Sequence, residues 1–294
     1  MEYLSLSQYL KKEYGTKYIK LSLSCSLSCP NRDGLCGTRG CIFCSSHGSG
    51  DFAQNMLVDI DVQIEKAKEL VKNKSISDKY IAYFQAFTST YGDIDYLRDI
   101  FKKTIKRDDI AILSIATRPD CLSTEILKLI KELNEIKPVW IELGLQSVHE
   151  STNLYIRRGY ETEVYFDAVK KLKEIGVHII THIIIGLPYE TKEMIVETAR
   201  QVGKVSDGVK LQLLHVLKDT DLADEYEQCK FEALTLEEYA DILCECINAM
   251  PQTTVIHRIT GDGNKETLIA PLWSRDKKRV LNFINHKIAK FERT

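Results

Sequence analysis

Seven short runs of β-branched and aliphatic residues alternate with stretches of helical period along nearly the whole chain. This alternation limits the fold more than any other feature. The runs are YIKLSLS (18–24), YIAYFQA (80–86), IAILSIAT (110–117), VWIELGLQ (139–146), VHIITHIII (177–185), GVKLQLLHV (208–216) and TVIHRI (254–259). Between them the spacing predicts helices over 59–73, 93–106, 123–134, 161–175, 190–204 and 235–249. Near-continuous apolar strands joined through helices mean a parallel sheet covered by helices, and right-handed crossovers lay successive strands side by side. About six such units are too few to close an eight-fold barrel. We therefore expect an α/β fold, an open, partial βα barrel of the TIM type, with a doubly wound sheet as the alternative. Residues 1–17 read as an N-terminal extension, 18–220 as the barrel core and 221–294 as a C-terminal extension that completes the barrel's side.

In parallel βα folds the chemistry gathers at the carboxyl ends of the strands. Ser24, Gln85, Thr117 with Arg118, Gln146, Gly186 and His215 all stand at or near the ends of the runs. Any one of them would serve as a cap or loop start. Their joint placement marks a reaction face.

The loop after the first run, CPNRDGLCGTRGCIFC (29–44), is the densest chemistry in the chain. Five of the nine cysteines lie between residues 25 and 44. No run of eighteen apolar residues and no signal-peptide pattern is present, so a cytoplasmic location with no membrane partner is expected, where thiols stay reduced and a cluster of them points to metal or catalysis. Only Cys41 and Cys44 have the spacing of a zinc knuckle; Cys29 and Cys36 could complete a four-thiolate site. Spacing alone leaves zinc, an iron–sulfur cluster and a thiol redox pair open. Position favours a cluster, because a purely structural knuckle has no reason to sit at the reaction face. Three anchoring cysteines would leave one iron open to a small molecule. Cys244 and Cys246 are two apart on a predicted helix and face different ways, and Cys121 and Cys229 read as isolated buried thiols.

The segment SCPNRDG…GCIFC resembles the signature of the YhcC/YtqA-like radical S-adenosylmethionine (radical SAM) family, related to the elongator catalytic subunit and the tRNA methylthiolases. The likeness continues through KYIAYFQAFTST (79–90), SIATRPDCL (114–122), ELGLQSVHE (142–150), HIIIGLP (182–188) and LLHVLKDT (213–220). GSGDF, HRITGDG and LWS look closest to the YtqA subgroup. The resemblance implies a [4Fe-4S] cluster on Cys29, Cys41 and Cys44 and S-adenosylmethionine on the open iron; Cys25 is then a spectator, and Cys36 a spectator, a labile redox thiol or a fourth ligand. It further implies reductive cleavage to a 5′-deoxyadenosyl radical, with flavodoxin or ferredoxin as the reductant. By the same resemblance, Gln85 and Ala86 would meet the methionyl amino group, Glu142 and Arg158 the ribose and carboxylate, Ile185, Gly186 and Leu187 the adenine, and His215 and Val216 the adenine edge. Thr117 and Gln146 join these as cofactor contacts.

For the substrate, the YtqA-like resemblance implies maturation of the aminomethyl-type side chain on the tRNA wobble uridine, so the anticodon loop of tRNA is the expected partner. HRITGDG supplies His257, Arg258 and Asp262 as candidate substrate contacts, with Thr88, Arg118 and Trp273 beside them. The formal net charge of −2 excludes a uniformly basic surface but leaves room for local patches. One is RDKKRVLNFINHKIAKFERT (275–294), where basic residues interleave with Val280, Leu281, Phe283, Ile284 and Ile288 at helical spacing. It reads as a docked C-terminal helix or as an RNA-contacting arm. Lys11, Lys12, Lys17 and Lys20 are further candidates for phosphate contacts.

Overall fold

The computed structural model describes residues 1–25, 27–46, 48, 58–73, 77–261 and 263–292. Seven strands form one wholly parallel sheet: β1 (Ile19–Leu23), β2 (Tyr80–Phe84), β3 (Ile110–Thr117), β4 (Val139–Gln146), β5 (His178–Ile185), β6 (Gly208–Leu213) and β8 (Val255–Arg258). Each is the neighbour of the one before it, the order that right-handed crossovers produce. The sheet is the open partial barrel expected. Its seventh strand, however, comes from the segment assigned above to a C-terminal extension.

Helices α2 (Ile60–Val71), α3 (Ile94–Ile105), α4 (Thr124–Asn134), α6 (Thr162–Ile175), α7 (Lys192–Val205), α9 (Leu236–Ala249) and α10 (Lys277–Lys290) follow the predicted spans closely. Their starts were readable because Asp93, Ser123, Thr191 and Thr235 each cap a helix N-terminus with a side-chain oxygen. In α10, Val280, Ile284 and Ile288 are buried against the main core, while Lys277, Lys278 and Arg279 are exposed. Among the short elements that escaped the sequence reading are α5 (Glu150–Tyr155), β7 (Val216–Leu217), α8 (Asp221–Glu227) and β9 (Leu268–Ala270). Each is too short to display a period. Among the described residues no helix is long and apolar enough to cross a membrane.

Strand alternation sends Leu21, Ala82, Leu113, Ile141, Ile179 and Val209 outward into the core beneath the helices. Inward-facing residues form layers. At the amino-terminal end of the barrel, Ile81, Ile112, Trp140 and Ile180 pack on Leu10 of α1 (Leu6–Tyr14), which closes that end as a plug. The helix is held there by a capping box between Ser5 and Gln8 and by a backbone hydrogen bond from Ile256 N–H to the Leu4 carbonyl. A second apolar cluster lies under the cysteine loop at the opposite end and includes Ile42, Ile156, Ile184, Leu187, Leu214 and Leu222.

Candidate active site

The cysteine loop follows β1 and is fastened to its surroundings by backbone hydrogen bonds. Ile42 N–H donates to the Ile156 carbonyl at 3.2 Å, and Leu222 N–H of α8 donates to the Ile42 carbonyl at 3.0 Å. Within the loop, Cys44 N–H donates to the Cys41 carbonyl, Cys36 N–H to Pro30 and Gly40 N–H to Asn31. The loop that follows β2 closes the other side, with Thr88 N–H donating to Ser28 and Phe87 N–H to Gly48. Arg39 of the loop and Arg157 both pair with Asp221, which ties loop, α5 end and α8 together.

Cys29, Cys41 and Cys44 are half-buried, whereas Cys36 is exposed. Burial, helped by the neighbouring Cys44 and Cys29 and opposed by the Arg118 guanidinium and the Asn31 hydrogen bond, pushes the Cys41 thiol up to about 12. The Asn31 amide donates to Cys41 Sγ at 3.5 Å and to the Arg157 carbonyl at 2.5 Å. Among the described residues no three His, Cys, Asp or Glu side chains converge tightly enough for a single metal ion. Cys36, the fourth thiol that a zinc knuckle would need, is exposed while the other three are half-buried. Three coupled thiols, a hydrogen-bond donor on one sulfur and a nearby guanidinium suit a multi-iron cluster, whose anchors bind different irons and so stand further apart.

Several of the expected cofactor contacts do lie around this loop. Gln85 and Ala86 lie just past the end of β2, where Gln85 N–H donates to the Leu23 carbonyl. Gln146 ends β4 in a left-handed conformation, φ +68°. Gly186 follows β5 at φ +95°, where a Cβ would stand 3.0 Å from the Leu234 side chain, so the turn needs glycine. Leu187 and Val216 belong to the apolar cluster under the loop. His215 lies between Gly261 and Gly263, and a Cβ on Gly261 would come within 2.7 Å of its ring. Thr88 is enclosed in the seam between the β2 loop and the cysteine loop. Arg118 belongs to the cluster's surroundings rather than to an open substrate surface: it pairs with Asp120, donates to the Arg158 carbonyl at 2.7 Å and lies over the Tyr160 ring.

Other residues are not brought there. Arg158 is 1% exposed and uses all five guanidinium donors on the protein, namely the carbonyls of Leu145, Ser147 and Tyr160 and the hydroxyl of Thr162. It has none left for a carboxylate ligand, and it is a structural pin rather than the cofactor contact the resemblance implied. Glu142 is fully buried four residues below the end of β4, and its oxygens are taken by Lys20, Ser114, His182 and Lys210. Thr117 points to the helix side and meets the Thr90 hydroxyl, and Ile185 also faces the outer core.

The HRITGDG segment is divided between the two ends of the barrel. His257 lies at the closed end against Trp140 and His178, away from the cysteine loop, and Arg258 lines a cleft of about 330 Å³ beside α1. Asp262 and most of GSGDFA lie outside the described residues. Trp273, a candidate substrate contact, is half-buried against the core, donates its indole N–H to the Leu234 carbonyl and packs against Tyr239. Lys20 turns inward and Lys11, Lys12 and Lys17 are exposed. Cys229 is exposed instead of buried, and Cys121 is not isolated, because its thiol is close enough to Cys29 for the two to interact.

Sequence reasoning missed Asn31, and it missed that Glu142 and Lys20, singled out for other roles, join Tyr83, Ser114, His182 and Lys210 in one ionic layer inside the barrel. The layer had a signal: a charged or imidazole side chain in the middle of an otherwise apolar strand must find an interior partner. Asn31 had none.

Comparison with known proteins agrees with this geometry. Residues 34–202, more than half of the chain, match the Radical SAM superfamily, and residues 206–290 match the Radical_SAM C-terminal domain. Uncharacterized protein YtqA of Bacillus subtilis is 42% identical over 97% of this chain and 89% of its own length. Protein YhcC of Escherichia coli is 34% identical over 91% and 86%. The tRNA uridine(34) acetyltransferase of Methanocaldococcus infernus is 27% identical over 51% of this chain, which spans 28% of that enzyme. In structure, the archaeal Elp3 of Methanocaldococcus infernus matches 92% of this chain and 63% of that chain with a TM-score of 0.69 at 19% identity, a likeness of fold. By family match and sequence identity together, the chain belongs to the radical SAM superfamily, within its YhcC/YtqA-like branch, and shares that family's [4Fe-4S] cluster and S-adenosylmethionine.

Proposed function

We propose that Cys29, Cys41 and Cys44 hold the cluster, that Cys36 does not, and that the enzyme acts on the aminomethyl-type side chain of a tRNA wobble uridine. The observation that carries the first part is the coupling of Cys41 to both Cys44 and Cys29 in a loop fastened at the carboxyl ends of the strands. The likeness to a tRNA uridine(34) acetyltransferase over half of the chain supports the second.

Held by Cys29, Cys41 and Cys44, the cluster would supply the electron for reductive cleavage of S-adenosylmethionine. The chain's own residues prepare the place. Asn31 donates to the Cys41 sulfur, and the apolar cluster of Ile42, Ile156 and Leu222 keeps water from the loop's underside. Gly186 lets the chain turn sharply after β5, and Gln85 and Ala86 follow the end of β2. Flavodoxin or ferredoxin is the proposed reductant. The exposed Lys277, Lys278 and Arg279 of α10 suit the phosphates of the tRNA, and a splayed anticodon base can enter a barrel mouth without opening a duplex.

The test compares nucleosides of tRNA from cells with and without this protein. A wobble-uridine derivative that changes on deletion is expected; identical profiles would remove the tRNA assignment. Anaerobic protein with reductant and S-adenosylmethionine is expected to yield 5′-deoxyadenosine, and a fully loaded protein that yields none would remove the radical assignment.

A further inference from the structure

Midway down the barrel, one carboxylate is shared by two lysines. Glu142 accepts from Lys20 Nζ at 2.5 Å, from Ser114 Oγ at 2.7 Å and from His182 Nε2 at 2.7 Å, and it pairs with Lys210. Lys210 also donates to the Tyr83 hydroxyl at 3.0 Å, and both ammonium groups lie over the Tyr83 ring, at 4.6 and 4.3 Å. These contacts fill both carboxylate oxygens. Burial and the charge of Lys210 drive His182 down to about 4, so it enters the balance neutral. Burial lowers Lys210 to about 7, so below that pH two cations face one anion among the contacts described.

Among the described residues, the layer is closed on one side only. Below it lies the apolar plug of Ile81, Ile112, Trp140, Ile180 and Leu10. Above it, Ser22, Gln85, Gly144, Gln146 and Gln212 are all half-buried, and the Lys20 and His182 side chains keep 19% and 16% exposure. The barrel interior is therefore a blind well with polar walls, an apolar base and a cationic floor. Four strand residues, roughly 13 Å at the usual rise, separate Glu142 from the rim at Gln146.

We infer that this floor is a subsite for a compact oxyanion, a carboxylate or phosphate at the tip of the substrate, received by Lys20 and Lys210 while Glu142 and Tyr83 hold the two lysines in place. Below about pH 7 an interior ammonium is in excess over its carboxylate among the described residues, and an anion delivered from the mouth supplies the counter-charge with charge-assisted hydrogen bonds. The inference rests on the radical SAM reading for which end of the barrel is the mouth. It does not depend on tRNA as the substrate, and its test needs no turnover.

Anaerobically purified full-length protein is titrated calorimetrically with inorganic phosphate and, separately, with succinate at low ionic strength. Saturable binding of at least one anion is expected. Lys20→Met should weaken it about tenfold or more, the size of a lost charged hydrogen bond, while Lys17→Met, an exposed lysine outside the well, should leave it unchanged. Glu142→Gln should tighten it where that variant folds; Lys20→Met, which keeps the Lys210–Glu142 pair, decides the matter where it does not. Phosphate binding alone assigns the floor to a nucleotide phosphate, and succinate binding alone to a carboxylate. Failure of both anions to bind the native protein, or equal binding by Lys20→Met, would overturn the subsite and leave the radical SAM assignment intact.

Discussion

Asn31 donates its side-chain N–H to the sulfur of Cys41 at 3.5 Å and to the carbonyl of Arg157 at 2.5 Å, so one amide joins the cysteine loop to the end of α5. Its placement is close-fitting, since a Cβ at Gly37 would come within 2.5 Å of the Asn31 oxygen. Hydrogen bonds to cluster sulfurs stabilise the reduced, more negative state. Asn31→Ala is expected to retain less iron after purification and to shift the midpoint potential of the remaining cluster to more negative values. Iron quantitation and a redox titration followed by electron paramagnetic resonance check both; an unchanged potential would mean that the amide only braces the loop.

Exposure separates Cys36 from the other three thiols of the loop. Its backbone is fixed through Pro30, but its side chain faces solvent beside Gly159. Cys36→Ala is expected to carry as much iron as the native protein after anaerobic reconstitution, and Cys29→Ala to lose most of it. Equal losses in the two variants would make Cys36 a ligand.

Much of this architecture was readable because strands of four to eight residues buried on both faces give uninterrupted apolar runs, and because the helices between them carry oxygen-bearing caps such as Asp93 and Thr235. The site was readable only where a residue's role follows from its place in the chain, as with the cysteines and the turn at Gly186. Arg158 and Glu142 misled for one reason. Sequence gives a residue's position along the chain but not how many protein partners will surround it, and both groups have their bonding capacity filled from within. His257 and Gly261 are four residues apart, yet the chain climbs from the closed end of the barrel to its mouth between them, which a motif read as one unit conceals.

The plug formed by α1 rests on one side chain in particular. Leu10 is 2% exposed and sits on Trp140, Ile81, Ile112 and Ile180, the base of the well. Leu10→Ala leaves a cavity there and should lower stability by about 2–5 kcal/mol, read as a lower urea midpoint. Iron incorporation at low temperature should stay native, because the cysteine loop is at the other end. Loss of iron in a folded variant would show that the two ends are coupled.

The ionic layer predicts a dependence of stability on pH that a neutral barrel would lack. Burial lowers Lys210 to about 7, with Lys20 and Arg258 adding to the shift and Glu142 opposing it. The amine is near 10.4 in an unfolded chain, so between about pH 7 and 10 the unfolded state binds more protons and stability rises with pH. Below pH 7 the amine is protonated in both states and adds no slope. Glu142 behaves in the opposite range: Lys20, Lys210 and His182 outweigh its burial and hold its carboxyl well below the usual value, so its contribution is present above about pH 4.5 and is lost as pH falls further. Cys25, Cys41, Cys121 and Cys246, all raised by burial, oppose the lysine above about pH 9 in the metal-free protein. Because they do so in native and variant alike, their effect cancels in the difference. Urea denaturation of metal-free native and Lys210→Met protein at pH 7, 8 and 9 is expected to show the native protein gaining on the variant by up to about 1.4 kcal/mol per pH unit. Parallel stability curves across that range would mean that Lys210 keeps an ordinary amine in the folded protein.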